Sequence, residues 1–222
     1  MMSPRPDHAT ADATRASPGR PKDLGKRAAI LQTAKRLFTR TGFDGTSMDQ
    51  IAAEAGVSKL TVYSHFGDKE SLFSAAVRAK CEEQMPPALF LSGLEGNLHE
   101  QLVAIARAFL ALITSDEAIA MHRMMMAPGT GDSHVRELFW QAGPQAVKDT
   151  LAEFLRARVA RGELAIADLP RAASQFLSLV KGEIHMQMLC GMCCGAPEED
   201  IERHLAAAVE LFLHGCAKAP AA

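Results

Sequence analysis

Ile30, Leu31, Ala34, Leu37 and Phe38 fall at i, i+1, i+4, i+7 and i+8, one apolar stripe on a helix of about 24–41. Gly42 is placed to end it. Ser47 and Gln50 have the spacing of a capping box and open a second helix, with Ile51, Ala52 and Ala55 on its buried side. Ala55-Gly56-Val57 reads as a tight turn. A third helix runs from Ser58 to about Phe66, with Val62 and Phe66 inward. Asp68 caps a fourth helix that Pro86-Pro87 stops near Met85. Further helices are predicted at about 97–115, 116–127, 133–161, 168–190 and 198–217, with a break or kink at Gly143-Pro144. In the last, Ile201, Leu205, Ala208, Val209 and Phe212 form a regular stripe. No run of alternating β-branched residues signals a strand. The expected fold class is all-α.

The stretch 56–73, GVSKLTVYSHFGDKESLF, breaks the general pattern. Ser58, Lys59, Thr61, Tyr63, Ser64 and His65 crowd one short helix that can bury only a thin stripe. Two short helices joined by a glycine turn make a helix-turn-helix. The outer face of the second then meets the major groove rather than a core. Lys59 and Lys69 suit phosphates, Tyr63 and His65 can donate to backbone oxygens, Thr61 can approach a base edge, and Leu60 can touch a thymine methyl. A surface helical hairpin with solvated polar residues would show the same spacing.

Charge sharpens this picture. The chain of 222 residues has a formal charge of −2, but residues 1–66 carry ten Lys/Arg against six Asp/Glu. Seven of those cations lie between Arg20 and Arg40, which suggests a polyanionic partner for that end only. The helix dipole explains Lys35, Arg36 and Arg40 equally well, since they lie towards a C-terminus. Residues 1–20 lack bulky apolar side chains and read as a disordered tail. Gly19–Lys22, GRPK, could extend it as a minor-groove arm.

Composition narrows the class further. At 48% hydrophobic residues the chain can bury a large core. No apolar run is long enough to span a membrane, and no secretory signal is evident. Five cysteines, Cys81, Cys190, Cys193, Cys194 and Cys216, fit a reducing cytoplasm. The sequence holds no GxGxxG, P-loop, HExxH or GxSxG motif, so neither an enzyme nor a cofactor is expected.

ILQTAKRLFTRTGFDGTSMDQIAAEAGVSKLTVYSHFGDKESLF closely resembles the DNA-binding domain of the TetR family of bacterial repressors. The matching elements are Gly42-Phe43, Thr46-Ser47, Ile51-Ala52, Ala55-Gly56-Val57, and Tyr63-Ser64-His65-Phe66 followed by Lys69. The resemblance implies that Thr46 and Ser47 hold phosphate at the start of the second helix. It implies that Ser58, Lys59, Leu60, Thr61 and Tyr63 lie at the groove, and that His65 and Lys69 pin the backbone. Met48 departs from the pattern: some members carry a base-reading arginine there. HRMMMAP, LFWQAGPQAVKDTLAEFL and QFLSLVKGEIHMQMLCG are similar to the AefR-like C-terminal subgroup.

The domains expected are a tail at 1–20, a helix-turn-helix domain at 21–70 and a regulatory, dimerising domain at 71–217. The family pattern implies a homodimeric repressor released from a palindromic DNA operator by a small-molecule inducer. The last two helices are expected to supply the dimer's four-helix interface. Phe109, Met121, Met124, Met125, Met126, Phe139 and Trp140 are candidates to line an apolar inducer pocket, although ordinary core packing would use the same residues. A metal- or thiol-sensing alternative rests on His185, Met186, Met188, Cys190, Met192, Cys193 and Cys194, the soft ligands that Cu(I) or Zn(II) select. Against it, Gly191 and Gly195 fray the helix, and His185 and Cys190 fall on different faces. No metal site is therefore assigned.

Overall fold

The computed structural model describes residues 23–91, 97–127 and 133–216. The expected tail and the GRPK arm lie outside the described residues.

Eleven α-helices follow one another among the described residues. α1 spans Leu24–Thr41, α2 Met48–Glu54, α3 Lys59–Phe66 and α4 Lys69–Gln84. Each begins on a side-chain cap. Asp23 accepts from the amides of Gly25 and Lys26, Ser47 from Gln50, Ser58 from Thr61, and Asp68 from Ser71 at 2.7 Å. Such caps contribute about 1 kcal/mol each. Gly42 and Gly67 close α1 and α3 with φ of 75° and 82°, backbone that side-chain-bearing residues rarely adopt. These helices enclose a small core of Ile30, Leu37, Phe38, Ile51, Val62, Leu72 and Phe73. Phe38 meets Phe73 edge-on at 5.1 Å.

The remaining helices are α5 Ala88–Leu91, α6 Leu98–Thr114, α7 Asp116–Met126, α8 Ser133–Trp140, α9 Ala146–Ala160, α10 Leu169–Leu189 and α11 Glu198–Cys216. α5 is a single turn after Pro86-Pro87, too short for periodicity to reveal. The predicted break at Gly143-Pro144 is a π-helical turn over Gln141–Gln145 that joins α8 to α9 without ending the helix. Pro144 cannot donate to the α-helical ladder, and the wider turn accommodates it. Gly143 lets α4 approach: a Cβ there would lie 3.1 Å from Val77 Cγ1.

α10 contains an interruption that the sequence pattern does not signal. Gly182 has φ 50° and ψ −155°, and the imidazole of His204 on α11 fills the gap, its Nε2 3.0 Å from the Val180 carbonyl. At the far end of α10, Arg123 of α7 donates to the carbonyls of Met188 and Leu189.

One expectation needs correction. Leu205, Ala208, Val209 and Phe212 pack into the chain's own core with Leu102, Ile105, Phe176 and Val180. Burial within the monomer already consumes this stripe. On the flank of α11 beside that stripe, Leu211 is 61% exposed.

Candidate nucleic-acid interface and effector cavity

α3 buries Val62 and Phe66 and turns nearly everything else outward. Leu60 is 78% exposed and Tyr63 41%, an unusual display for apolar and aromatic groups on a helix this short. Lys59 pairs with Asp49 of α2 at 2.7 Å, and the carboxylate raises its pKa through a hydrogen bond and its charge. Its ammonium also lies 6.0 Å from the Tyr63 ring centroid. The Thr61 and Ser58 hydroxyls are 2.8 Å apart within the cap of α3.

Thr46 is placed differently from the expectation. It is 1% exposed, its hydroxyl donates to the Gly42 carbonyl at 2.7 Å, and it lies 2.9 Å from the Thr41 hydroxyl. Its side chain holds the α1–α2 turn together and has no face left for a phosphate. Ser47 remains exposed at the α2 N-terminus. Lys69 is half-buried, donating to the Thr46 carbonyl at 3.1 Å with its ammonium 4.1 Å from the Phe43 ring centroid. His65 is half-buried too, and its Nδ1 has no partner among the described residues.

The basic tract proves largely committed to internal partners. Arg36 and Arg40 share Glu54, Lys35 pairs with Glu83, Lys26 with Asp23, and Arg27 lies over the Phe66 ring. Glu54 and Glu83 sit well outside the α1 sequence window, so a local charge count cannot register them.

A second site lies between these four helices and the rest of the chain. A cavity of about 530 Å³ opens among α1, α4, α6, α7, the π-helical turn, α9 and α10. Phe109, Met121, Phe139 and Trp140 line it. Met125 does not: one turn beyond Met121 on α7, it packs against the core of the DNA-binding helices. Met126 is exposed, and Met124 reaches α1, where its sulfur would lie 2.9 Å from a Cβ at Gly42. Phe38 and Phe73 stand in the cavity wall and in the α1–α4 core together.

Sequence reasoning missed the polar lining. His122 faces the cavity, its Nδ1 2.7 Å from the Ala118 carbonyl. Its ring meets His185 edge-on at 5.4 Å. Burial, with His122 and Lys181 nearby, pushes the His185 pKa down to about 4, and burial lowers that of His122 also. Lys148, Ser174, Ser178 and Lys181 complete the α9–α10 side. The i, i+4, i+7 spacing of Ser174, Ser178 and Lys181 could have placed them on one face.

Cys190, Cys193 and Cys194 sit in the turn after α10, the first and last exposed. His185 instead points inward to His122. Among the described residues no group of three or more His, Cys, Asp or Glu is placed to hold a metal ion. Cys81 lines the cavity, and burial pushes its thiol up to about 11, away from a reactive thiolate.

A helix-turn-helix on one end and a helical cavity sharing its wall define a one-chain transcriptional regulator. Residues 30–76 match the bacterial regulatory proteins of the tetR family, and residues 100–215 match the AefR-like transcriptional repressor C-terminal domain. The chain belongs to the TetR family of DNA-binding transcriptional regulators. It is similar to the HTH-type transcriptional repressor ComR of Escherichia coli, 32% identical over 67% of this chain and 71% of ComR. It is 25% identical to the HTH-type regulator YvkB of Bacillus subtilis over 84% of this chain and 94% of YvkB. Among solved structures, the flavonoid-responsive regulator FrrA shares 34% identity, covering 89% of this chain and all of FrrA, with a TM-score of 0.68. A Mesorhizobium loti TetR-family structure shares 26% over 90% of this chain and all of its own, with a TM-score of 0.70. No helix among the described residues is long and apolar enough to cross a membrane.

Proposed function

We propose that this protein is a ligand-responsive repressor that binds a palindromic operator as a homodimer and leaves it when a small, largely apolar inducer fills the cavity. The DNA contacts come from Ser47, Ser58, Lys59, Leu60, Thr61, Tyr63, His65 and Lys69, with residues 21–70 as the DNA-binding domain and 71–217 as the regulatory one. Two α3 helices about 34 Å apart would read the half-sites. The observation that carries this reading is the shared wall: Phe38 and Phe73 bound the cavity and form the core that positions α2 and α3. A ligand displacing α7 also moves Met124 against Gly42, at the entrance to the helix-turn-helix. Ligand and operator then weaken each other reciprocally.

The test is operator binding by mobility shift, with and without candidate effectors. Flavonoids are the first class to try, because FrrA responds to them. Tyr63→Ala should weaken binding to operator and random DNA alike, whereas Leu60→Ala should relax sequence preference. Normal operator binding by the double variant would sink the assignment of α3. Dimerisation through the exposed flank of α11 predicts that Leu211→Asp sediments as a folded monomer and loses the operator. An intact dimer would move the interface elsewhere.

A further inference from the structure

The cavity carries more cations than its neighbours neutralise. Lys35, Arg36, Arg40 and Lys80 stand along its α1–α4 side, and each has a carboxylate: Glu83, Glu54 for both arginines, and Glu117 at 3.3 Å. Lys148 and Lys181, on the opposite side, form no ion pair with any described residue. Lys181 is exposed, and protein crowding its stem side lowers its pKa. An ammonium without a carboxylate partner at the edge of a largely apolar cavity can take an opposite charge without breaking an existing ion pair.

The rest of this side suits the same partner. Ser174 and Ser178 line the wall beside Lys181, and because the Ser178 hydroxyl hydrogen goes to the Ser174 carbonyl at 2.9 Å, it is the Ser174 hydroxyl that can donate to an anion. Burial keeps His122 neutral even though its Nδ1–H donates to the Ala118 carbonyl, so the charge on this side comes from the two lysines. Phe109, Met121, Phe139 and Trp140 require the remainder of the ligand to be apolar.

We propose that the cavity selects an amphipathic organic anion, an apolar body bearing one acidic group, with Lys181 and Lys148 holding the acidic group on the α9–α10 side. This rests on the reading that the cavity is the effector site, and it names the chemical class that the reading leaves open. A neutral hydrocarbon of the same volume would fill the space but leave both ammonium groups uncompensated.

A matched pair of fluorescent compounds separates the two ideas. N-phenyl-1-naphthylamine and 1-anilinonaphthalene-8-sulfonate share one apolar body and differ by an acidic group. Both are titrated into the full-length protein and its Lys148→Gln/Lys181→Gln variant. The expected result is that the variant loses about tenfold or more in affinity for the sulfonate. Its affinity for the neutral amine should stay within about twofold, since no charge is involved. Equal loss for both compounds, or no loss for the sulfonate, overturns the anion proposal while leaving an apolar effector cavity in place. A Ser178→Trp variant, which projects bulk into the cavity from an exposed position, should displace both compounds. If it displaces neither, the effector-site reading fails together with the proposal.

Discussion

The helix-turn-helix end and the cavity end both start helices on side-chain caps, as Asn97, Ser115 and Asp168 do for α6, α7 and α10, but they differ in how regular those helices are. α1 to α4 start on side-chain caps, and α1 and α3 close on glycines of positive φ. Their order is local, and α3 can leave Leu60 and Tyr63 in solvent because its neighbours and caps hold it. The cavity end keeps irregularities inside its long helices: the π-helical turn at Gln141–Gln145 and the gap at Gly182. It also tolerates unfilled space and uncompensated lysines. The reciprocal coupling proposed above would need only the cavity end to change its shape.

The largest expected effect comes from Phe73, one of the residues common to both regions. Phe73 is fully buried, so Phe73→Ala should lose about 3–5 kcal/mol and enlarge the cavity into the DNA-binding core. Chemical denaturation measures it. A loss below about 1 kcal/mol would show that the two regions do not share this wall in solution. Next comes Gly182→Ala. The added Cβ would lie 2.7 Å from the His204 ring on a backbone that favours glycine, and a loss of about 2–4 kcal/mol is expected. Were α10 continuous in solution, the same change would be neutral or stabilising, and the melting temperature would not fall.

The difference between the regions also governs what the amino-acid pattern could reveal. Ser47, Ser58 and Asp68 announce their helices because capping acts over three residues, and the inward pair Val62 and Phe66 is a matter of spacing. By contrast, the burial of Thr46 depends on Thr41 and Gly42 folding over it, and the neutralisation of Arg36 depends on Glu54 across a helix pair. Met125 resembles Met121 in every local respect, and only the extent of the cavity along α7 separates them. Val209 belongs to a stripe that periodicity identifies correctly, but periodicity is silent on whether that stripe faces its own core or a partner. The gap at Gly182 needs His204, twenty-two residues away, to fill it. Local chemistry was legible, whereas long-range partnering was not.

The histidine pair offers a smaller, pH-dependent test of the cavity end. His122 and His185 are both held neutral by burial, with folded pKa values below the usual 6.5. Below that pH the unfolded chain takes up protons that the folded chain refuses. Stability is therefore full above about pH 6.5 and falls as pH drops towards about 4, by roughly 3 kcal/mol for His185. The acidic groups with lowered values, such as Glu117 and Asp68, lose their stabilisation in the same direction but only at lower pH. Urea midpoints between pH 7 and 5 isolate the imidazoles. His185→Leu should flatten that slope in part, and an unchanged slope would place the titration elsewhere.

The smallest effect on stability, and the sharpest on function, is expected at Asp49. Its carboxylate pairs with Lys59 at the open edge of α3, with both groups well exposed. Exposed pairs contribute little to folding because water screens them and two long side chains must be held still. Asp49→Asn should therefore leave the melting temperature within experimental error. The same change frees the Lys59 ammonium for a phosphate and removes a negative charge that repels DNA. Operator and random DNA should both bind more tightly, because a phosphate contact carries no sequence information. The slope of log affinity against log salt should steepen by at most about one unit. Lys59→Ala should act in the opposite direction, weakening both kinds of DNA and reducing that slope. If Asp49→Asn weakens binding, the carboxylate orients Lys59 rather than competing for it, and the pair belongs to the preformed reading head. A melting temperature that drops with DNA affinity unchanged would instead make the pair part of the scaffold, and Lys59 would leave the interface.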